Sequence, residues 1–478
     1  MLKSIYFYNT KTRKKEEFKE KETGIVKIYT CGPTVYSTQH IGNMRAAITA
    51  DILHRTLEYF KYTVIDVINI TDVGHLTDDD HDAGEDKMLK AARKEKKGPY
   101  EIARYYEEKY IADTKKLHIK GPKYRPRATE HIKEQIEMIK LLEERGHTYR
   151  TSDGLYFDTS TFKEYGALSG QKQEDKKAGA RVKLDSEKRN PSDFALWKFL
   201  TGENEHHIMK WDSPWGIGFP GWHIECSAMS HKYLGSEFDI HMGGIEHIPV
   251  HHENEIAQNV CSGAISGISF WMHYQHMMID KNKMSKSLGN VYSLEDLEKK
   301  SYSPLALREL CLRTHYRKTM NFTFDALDAA QTNVKKLNEF KKRIEEIKVT
   351  ENADETVRKL FNTYLDKFEQ AMKDDLNTAL ALAAVDEFIT EINRKRIFSE
   401  QDKETVLEFL RRTDKVLALL EEEERIPSEV EKLAREREVA REKKEFGEAD
   451  KLRDEIKGRG YDVKDDKSSK LGYRLTKI

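Results

Sequence analysis

The chain has 478 residues, room for about three domains of ordinary size. Its 82 Lys+Arg against 83 Asp+Glu leave a net charge of −1, which excludes binding of a polyanion by bulk charge alone. Four cysteines, at 31, 226, 261 and 311, exclude a disulfide framework, and no apolar run approaches the ~20 residues that cross a bilayer. The N-terminus lacks the apolar stretch of a secretory signal, so no membrane partner and a reducing cytoplasm are expected. Ile25–Tyr29 then reads as a short buried strand. Met44, Ala47, Ile48, Ile52, Leu53, Leu57 and Phe60 follow helical spacing. Thr63–Ile70 is rich in β-branched residues and reads as a second strand, which makes a βαβ unit and a parallel sheet. Helices are expected near 86–94 and over Pro99–Leu117. Thr129 is expected to cap a helix ended by Gly146, with a hairpin turning at Ser152-Asp-Gly. Residues 121–195 read as an insertion. Alternation resumes with helix Trp222–Leu234, strand Phe238–Met242, helix His251–Cys261 and strand Ile268–Ile279. Beyond about residue 300 the strands stop, and four apolar stripes between 334 and 420 read as an antiparallel helix bundle. After Pro427 one long charged helix is expected, ended by Gly458 or Gly460 and followed by a short tail.

Ten of the 18 histidines lie between His206 and His276, so that window uses imidazole. Gly216-Ile-Gly-Phe-Pro-Gly221 matches the dinucleotide pattern literally. No apolar strand leads into it, and Pro220 sits inside the turn, so a Gly-rich approach to the helix at Trp222 is the better reading. His40-Ile-Gly-Asn43 ends the loop after the first strand and opens a helix. Gly42 lets a ligand approach the backbone, and the helix N-terminus with His40 suits a phosphate, although spacing alone favours an ordinary loop with a helix cap at Asn43. Lys283-Met284-Ser285-Lys286-Ser287 follows the last strand of the sheet. Its two lysines and two hydroxyls suit a clamp on a triphosphate, or a solvated loop. Cys226 lies on one helix, His251 and Glu255 share a face of the next, and Cys31 ends the first strand. Two thiolates, an imidazole and a carboxylate would make a zinc site; spacing alone leaves that open against a buried cysteine beside a surface His/Glu pair. Cys261 and Cys311 read as core.

Taken together, His40-Ile-Gly-Asn and Lys283-Met-Ser-Lys-Ser resemble the two signatures of class I aminoacyl-tRNA synthetases. Tyr29-Thr-Cys-Gly-Pro-Thr-Val-Tyr, Asn69-Ile-Thr-Asp, Asp193-Phe-Ala-Leu-Trp-Lys, Pro220-Gly-Trp-His-Ile-Glu-Cys-Ser-Ala-Met, His251-His-Glu-Asn-Glu-Ile-Ala-Gln and Asp374-Asp-Leu-Asn-Thr are similar to the cysteinyl-tRNA synthetase family, from about residue 3 to 475. The resemblance implies an α/β fold: a Rossmann-like parallel-sheet catalytic domain split by an insertion, then an α-helical bundle and a small C-terminal domain. Its divisions are expected at 1–120 and 196–300 for the two catalytic halves and at 121–195 for the inserted connective domain. A stem-contact linker at 301–330, the bundle at 331–425 and an anticodon-recognition domain at 426–478 complete the expected order.

The same resemblance implies activation of L-cysteine with ATP and Mg²⁺ and its transfer to the terminal adenosine of tRNA(Cys), with one zinc on Cys31, Cys226, His251 and Glu255. His40, Asn43, Lys283 and Lys286 are implied as catalytic. Gly42, Trp222, Met284, Ser285 and Ser287 are implied to bind ATP or adenylate. Arg459, Tyr461 and Tyr473 are the places to look for tRNA contacts, against a salt-bridged helix and solvated tail. The family's usual habit is a monomer. Asn43 stands where the first signature usually has His, Phe219 stands where Arg is common, and the acidic stretch 73–84 is longer than usual. Three rivals remain: an amino-sugar ligase sharing the zinc and ATP sites, a non-enzymatic tRNA-binding relative, and an oxidoreductase.

Overall fold

Four strands pair in parallel in the order Gly267–Tyr274, Glu237–Gly244, Ile25–Thr30, Thr63–Ile68, in a computed structural model. The structure describes residues 4–73, 87–170, 187–205, 207–284, 289–350, 355–421, 427–465 and 472–477. The chain divides into two units, Met1–Leu420 and Glu421–Ile478. No described helix is long and apolar enough to cross a membrane.

Helix Ile41–Tyr59 carries the chain from Ile25–Thr30 to Thr63–Ile68, and helix His251–Ser262 carries it from Glu237–Gly244 to Gly267–Tyr274. The two crossovers depart to opposite sides of the sheet. A crevice therefore opens at the carboxyl ends of Ile25–Thr30 and Glu237–Gly244, where open α/β sheets bind ligands. Both faces of the sheet are covered, so Phe238, Ile240 and Met242 are buried, and so are the alternating polar residues Asp239 and His241.

Helix Ile41–Tyr59 is buried nearly all round. Met44, Ile48, Ile52 and Leu53 join the apolar core, while Arg45, Asp51 and His54 are buried with partners. Asp51 accepts from Arg308 Nη2 at 2.6 Å, Arg55 Nε at 2.8 Å and the Lys120 amide at 2.8 Å. Arg308 also donates to the carbonyls of Leu117 and Leu417. One fully buried ion pair thus ties this helix to helix Pro304–Leu312 and to the last bundle helix. Removing one partner of such a pair strands a buried charge, typically at a cost of about 3–5 kcal/mol.

The strand expected over Ile268–Ile279 divides. Gly267–Tyr274 stays in the central sheet; Met277–Ile279 joins a second sheet, antiparallel to Asn282–Lys283 and parallel to Met320–Phe322. Strands therefore do not stop at residue 300. The apolar run through Met277 and Met278 carries no turn residue to announce the break.

The insertion also differs from expectation. Its antiparallel sheet runs Thr148–Arg150, Gly154–Phe157, Phe194–Phe199, Gly218–Pro220, so the boundary drawn at 195 falls inside a strand. Thr129 does not cap the helix Ile132–Glu144; it sits in a 3₁₀ turn and donates from its amide and hydroxyl to Asp72. The glycines of Gly216–Gly221 serve this sheet. A Cβ on Gly218 or Gly221 would strike the carbonyl oxygen of Lys198 or Ala195 across the strand pair. That is a packing reason for the dinucleotide-like pattern, with no nucleotide involved. Phe219 is fully buried and stacks on His207 at 3.9 Å, which explains an apolar residue there.

Helices Phe324–Glu346, Thr356–Lys373, Thr378–Arg394 and Glu400–Leu417 form the expected bundle around Val334, Phe361, Phe388 and Phe409. Its Asp374–Thr378 motif is a junction. Asp375 and Leu376 take left-handed φ of 59° and 54°, and Asp375 accepts from Tyr316, Arg317 and the Tyr8 amide. In the second unit the single expected helix is two, Ser428–Glu442 and Phe446–Gly458, broken where Lys444 turns left-handed (φ 64°). The tail is a hairpin of Tyr461–Asp465 with Tyr473–Lys477.

Candidate active site

Cys31 follows directly on strand Ile25–Thr30, and its amide bonds the Met242 carbonyl at 3.0 Å, across the point where the crossovers diverge. The next amide, of Gly32, donates to Asn69 Oδ1 at 2.8 Å and so fixes the chain beyond the cysteine. Cys226 is buried on helix Trp222–Leu234. His251 and Glu255, one helical turn apart, face both cysteines, with His251 Nε2 3.0 Å and Cys31 Sγ 3.8 Å from Glu255 Oε1. One donor atom from each of Cys31, Cys226, His251 and Glu255 lies within 4.8 Å of the others. Tetrahedral bonds of about 2.0–2.3 Å place donors roughly 3.3–3.8 Å apart, so this set fits zinc with little movement.

The two thiols and the imidazole hold their protons unequally. Burial would raise both thiols, but donation from Cys226 and the nearby His252 and His251 hold Cys31 well below the ordinary thiol value. Cys226 is pushed well above it by burial and by the charge on Cys31. His251 is raised to about 10, because Cys31 and Glu255 outweigh its burial. A cation entering here displaces those protons.

Behind the cluster runs a chain of imidazoles that the sequence did not reveal. His223 Nδ1 lies 2.8 Å from His251 Nδ1, and His241 Nε2 lies 2.8 Å from Glu255 Oε2. His252 Nε2 is 3.3 Å from Cys31 Sγ, and its Nδ1 is 2.7 Å from His273 Nε2, whose Nδ1 meets the Thr10 hydroxyl. These contacts orient the ligands from behind, as partners of metal-bound side chains do. Cys31, His241, His252 and Glu255 form a second set within the same 4.8 Å. Access separates the two sets: Cys31, Cys226 and His251 line a cavity of about 670 Å³, whereas His241 and His252 are wholly buried and do not. A site that must take a substrate keeps an open position. The dense histidine window was the available signal, but which imidazole meets which side chain depends on contacts between the central sheet and its helices.

Trp222, Asn43 and Lys283 line the same cavity. Trp222 packs on the His251 ring at 4.6 Å. His40 and Asn43 form a reciprocal cap on helix Ile41–Tyr59: the Asn43 amide donates to His40 Nδ1, and Asn43 Oδ1 accepts from the His40 amide. With Nδ1 accepting, the neutral His40 ring carries its proton on Nε2. Asn43 uses its oxygen in the cap and keeps its amide NH₂ as a donor, which a helix N-terminus beside an anion can use. Gly42 is where the two signatures touch, since a Cβ there would lie 2.5 Å from the Met284 side chain. Ser285, Lys286 and Ser287 lie outside the described residues, as does the acidic stretch 74–86.

The tRNA candidates are placed differently from expectation. Tyr461 and Tyr473 are buried in the small core of the second unit with Val430, Ala434 and Ile456, so their ring faces are covered. Arg459 is held by Glu429 at 2.5 Å and Glu455 at 3.1 Å. Tyrosines spaced along a hairpin look exposed in sequence, but alternation turns these two inward.

Comparison with known proteins adds to this geometry. The family described as tRNA synthetases class I (C) catalytic domain matches residues 17–332, a DALR domain matches 367–421, and a cysteinyl-tRNA ligase anticodon binding domain matches 423–470. The cysteine–tRNA ligase of Treponema denticola is 42% identical over 97% of this chain and 98% of its own. That of Protochlamydia amoebophila is 40% identical over 99% and 98%. Among solved structures, Mycobacterium tuberculosis methionyl-tRNA synthetase in complex with methionyl-adenylate superposes with a TM-score of 0.56 at 15% identity. It covers 83% of this chain and 90% of its own, a likeness of fold.

Proposed function

The chain belongs to the cysteine–tRNA ligases, class I synthetases that join cysteine to its tRNA with ATP, and we propose that its four-ligand cluster holds the zinc that selects the amino acid. The observation that carries this is the convergence of Cys31, Cys226, His251 and Glu255, the first three of them lining an open cavity. Cysteine and serine differ by one atom, so pocket shape discriminates poorly between them. Bound zinc supplies a soft acceptor for the substrate thiolate, which serine's hydroxyl matches badly. His223 and His241 hold the His251 ring and the Glu255 carboxylate in place, and Trp222 walls the amino-acid end.

The phosphates of ATP, with Mg²⁺, lie on this reading over the N-terminus of helix Ile41–Tyr59. There the His40 Nε2–H and the Asn43 side-chain amide face them, with Gly42 letting Met284 close against the helix start. Lys283, with Met284, Ser285, Lys286 and Ser287, covers the triphosphate. These donors stabilise the charge that develops as the cysteine carboxylate attacks the α-phosphate and pyrophosphate leaves. The cysteinyl group then passes to the 3′-terminal adenosine of tRNA(Cys), and residues 423–470 read the anticodon. The enzyme acts as a cytoplasmic monomer.

The test is cysteine-dependent exchange of pyrophosphate into ATP, with serine as control, followed by charging of tRNA(Cys). Exchange with cysteine alone, and charged tRNA, are expected. Exchange without charging would point to an amino-sugar acceptor, and no exchange would overturn the reading.

A further inference from the structure

Arg45 lies two residues beyond Asn43 on helix Ile41–Tyr59 and is 2% exposed. Among the described residues no carboxylate pairs with its guanidinium. It donates instead to four backbone carbonyls: Gln275 at 2.9 Å and His276 at 2.7 Å through Nη1, and Lys318 at 2.7 Å and His315 at 3.5 Å through Nη2. A guanidinium cannot shed its charge, so those carbonyls have to stay where they are.

Their position matters. Gln275 and His276 mark the break where the chain leaves the central sheet for Met277–Ile279, and His315–Lys318 leads into Met320–Phe322. These two short strands pair with each other, and Met277–Ile279 pairs on its other side with Asn282–Lys283, putting Met278 opposite Lys283. Arg45 therefore grips the base of the sheet that presents Lys283. The far side of the same segment returns to the same helix. The Ile41 amide donates to Tyr292 O at 2.9 Å, His40 bridges Ser293, and Asn290 Nδ2 donates to Lys283 O at 3.2 Å.

Resting on the function proposed above, we infer that Arg45 is a positioning residue that holds Lys283 in register with His40 and Asn43, so that both signatures meet the same triphosphate. It touches no substrate. Its role belongs to the step in which the α-phosphate is attacked, and the later transfer from adenylate to tRNA, which involves no triphosphate, does not need it. A lysine has three donors on a point charge and cannot span four carbonyls with a planar fork.

The experiment compares wild type with Arg45→Lys and the uncharged Arg45→Met. It reads cysteine-dependent exchange (kcat and KM) and single-turnover transfer from isolated enzyme-bound adenylate to tRNA. Expected are at least a tenfold fall in exchange kcat for both variants, a cysteine KM within twofold of wild type, and a transfer rate within twofold. Arg45→Lys should retain more exchange than Arg45→Met. Equal losses in both steps, no loss, or failure of both variants to fold by circular dichroism would each overturn the inference and leave Arg45 a stability residue. Wild-type enzyme without exchange would instead refute the underlying function, so the two failures are distinguishable.

Discussion

Gly243→Ala tests whether the imidazoles behind the metal ligands are held as tightly as their contacts imply. A Cβ on Gly243 would lie 2.6 Å from His252 Cε1 and 2.7 Å from His247 Nδ1, where ordinary contact begins at 3.4 Å. Both rings, or the backbone between them, have to give by well over half an ångström. The His252 ring has no slack, since it is fully buried, 2.7 Å from His273 on one side and 3.3 Å from Cys31 on the other. Overpacking of this kind costs about 1–3 kcal/mol. Loss of a partner behind a metal ligand typically lowers metal affinity by about 10–100-fold. Zinc retention against a chelator should therefore fall by roughly that factor, and exchange activity with it. Gly244→Ala is the internal control. The nearest atoms to its Cβ would be those of the Glu246 carboxylate, on a half-exposed side chain that can swing into solvent, so zinc affinity should hold. Wild-type zinc affinity in Gly243→Ala, or equal loss in both variants, would refute the argument.

Lys286→Ala should slow cysteine-dependent exchange by roughly 10²-fold, the scale of losing one donor to a developing charge, while cysteine affinity barely moves. Equal loss of both would make the Lys283–Ser287 segment structural. His54 offers a pH test. Burial opposes its charge, but hydrogen bonds and charges from Asp66 and Glu58 outweigh burial and raise its pKa above the usual value. A raised folded-state value means the contribution is fully present below the unfolded value of ~6.5 and is lost as pH rises through the folded one. The urea midpoint of wild type should therefore exceed that of His54→Gln most at low pH, with the gap closing above neutrality. A gap that widens with pH contradicts the sign.

Much of the catalytic fold was legible because its signals are local. Apolar spacing marked Trp222–Leu234 and Ile41–Tyr59, and β-branched runs marked Thr63–Ile68. Cys31, Cys226, His251 and Glu255 were legible only through resemblance, since three separate elements bring them together and no short spacing records it. What stayed hidden depends on long-range pairing. Nothing near Tyr274 announces that Met277–Ile279 will pair with Met320–Phe322, more than 40 residues on. The charged run after Pro427 reads as one helix because the break at Lys444 lacks a glycine. The inward turn of Tyr461 and Tyr473 is set by the register of Tyr461 with Lys477 and of Asp465 with Tyr473, which the tail's composition does not encode.

Cobalt substituted for zinc gives the most direct test of thiolate selection. Thiolate bound to cobalt absorbs in the near ultraviolet, and the protein's own Cys31 and Cys226 set the baseline. Titration with cysteine should raise that absorbance by about the contribution of one more thiolate, while serine and S-methylcysteine leave it unchanged. Saturating cysteine with no change in the band, in enzyme that still activates it, would contradict recognition through the metal.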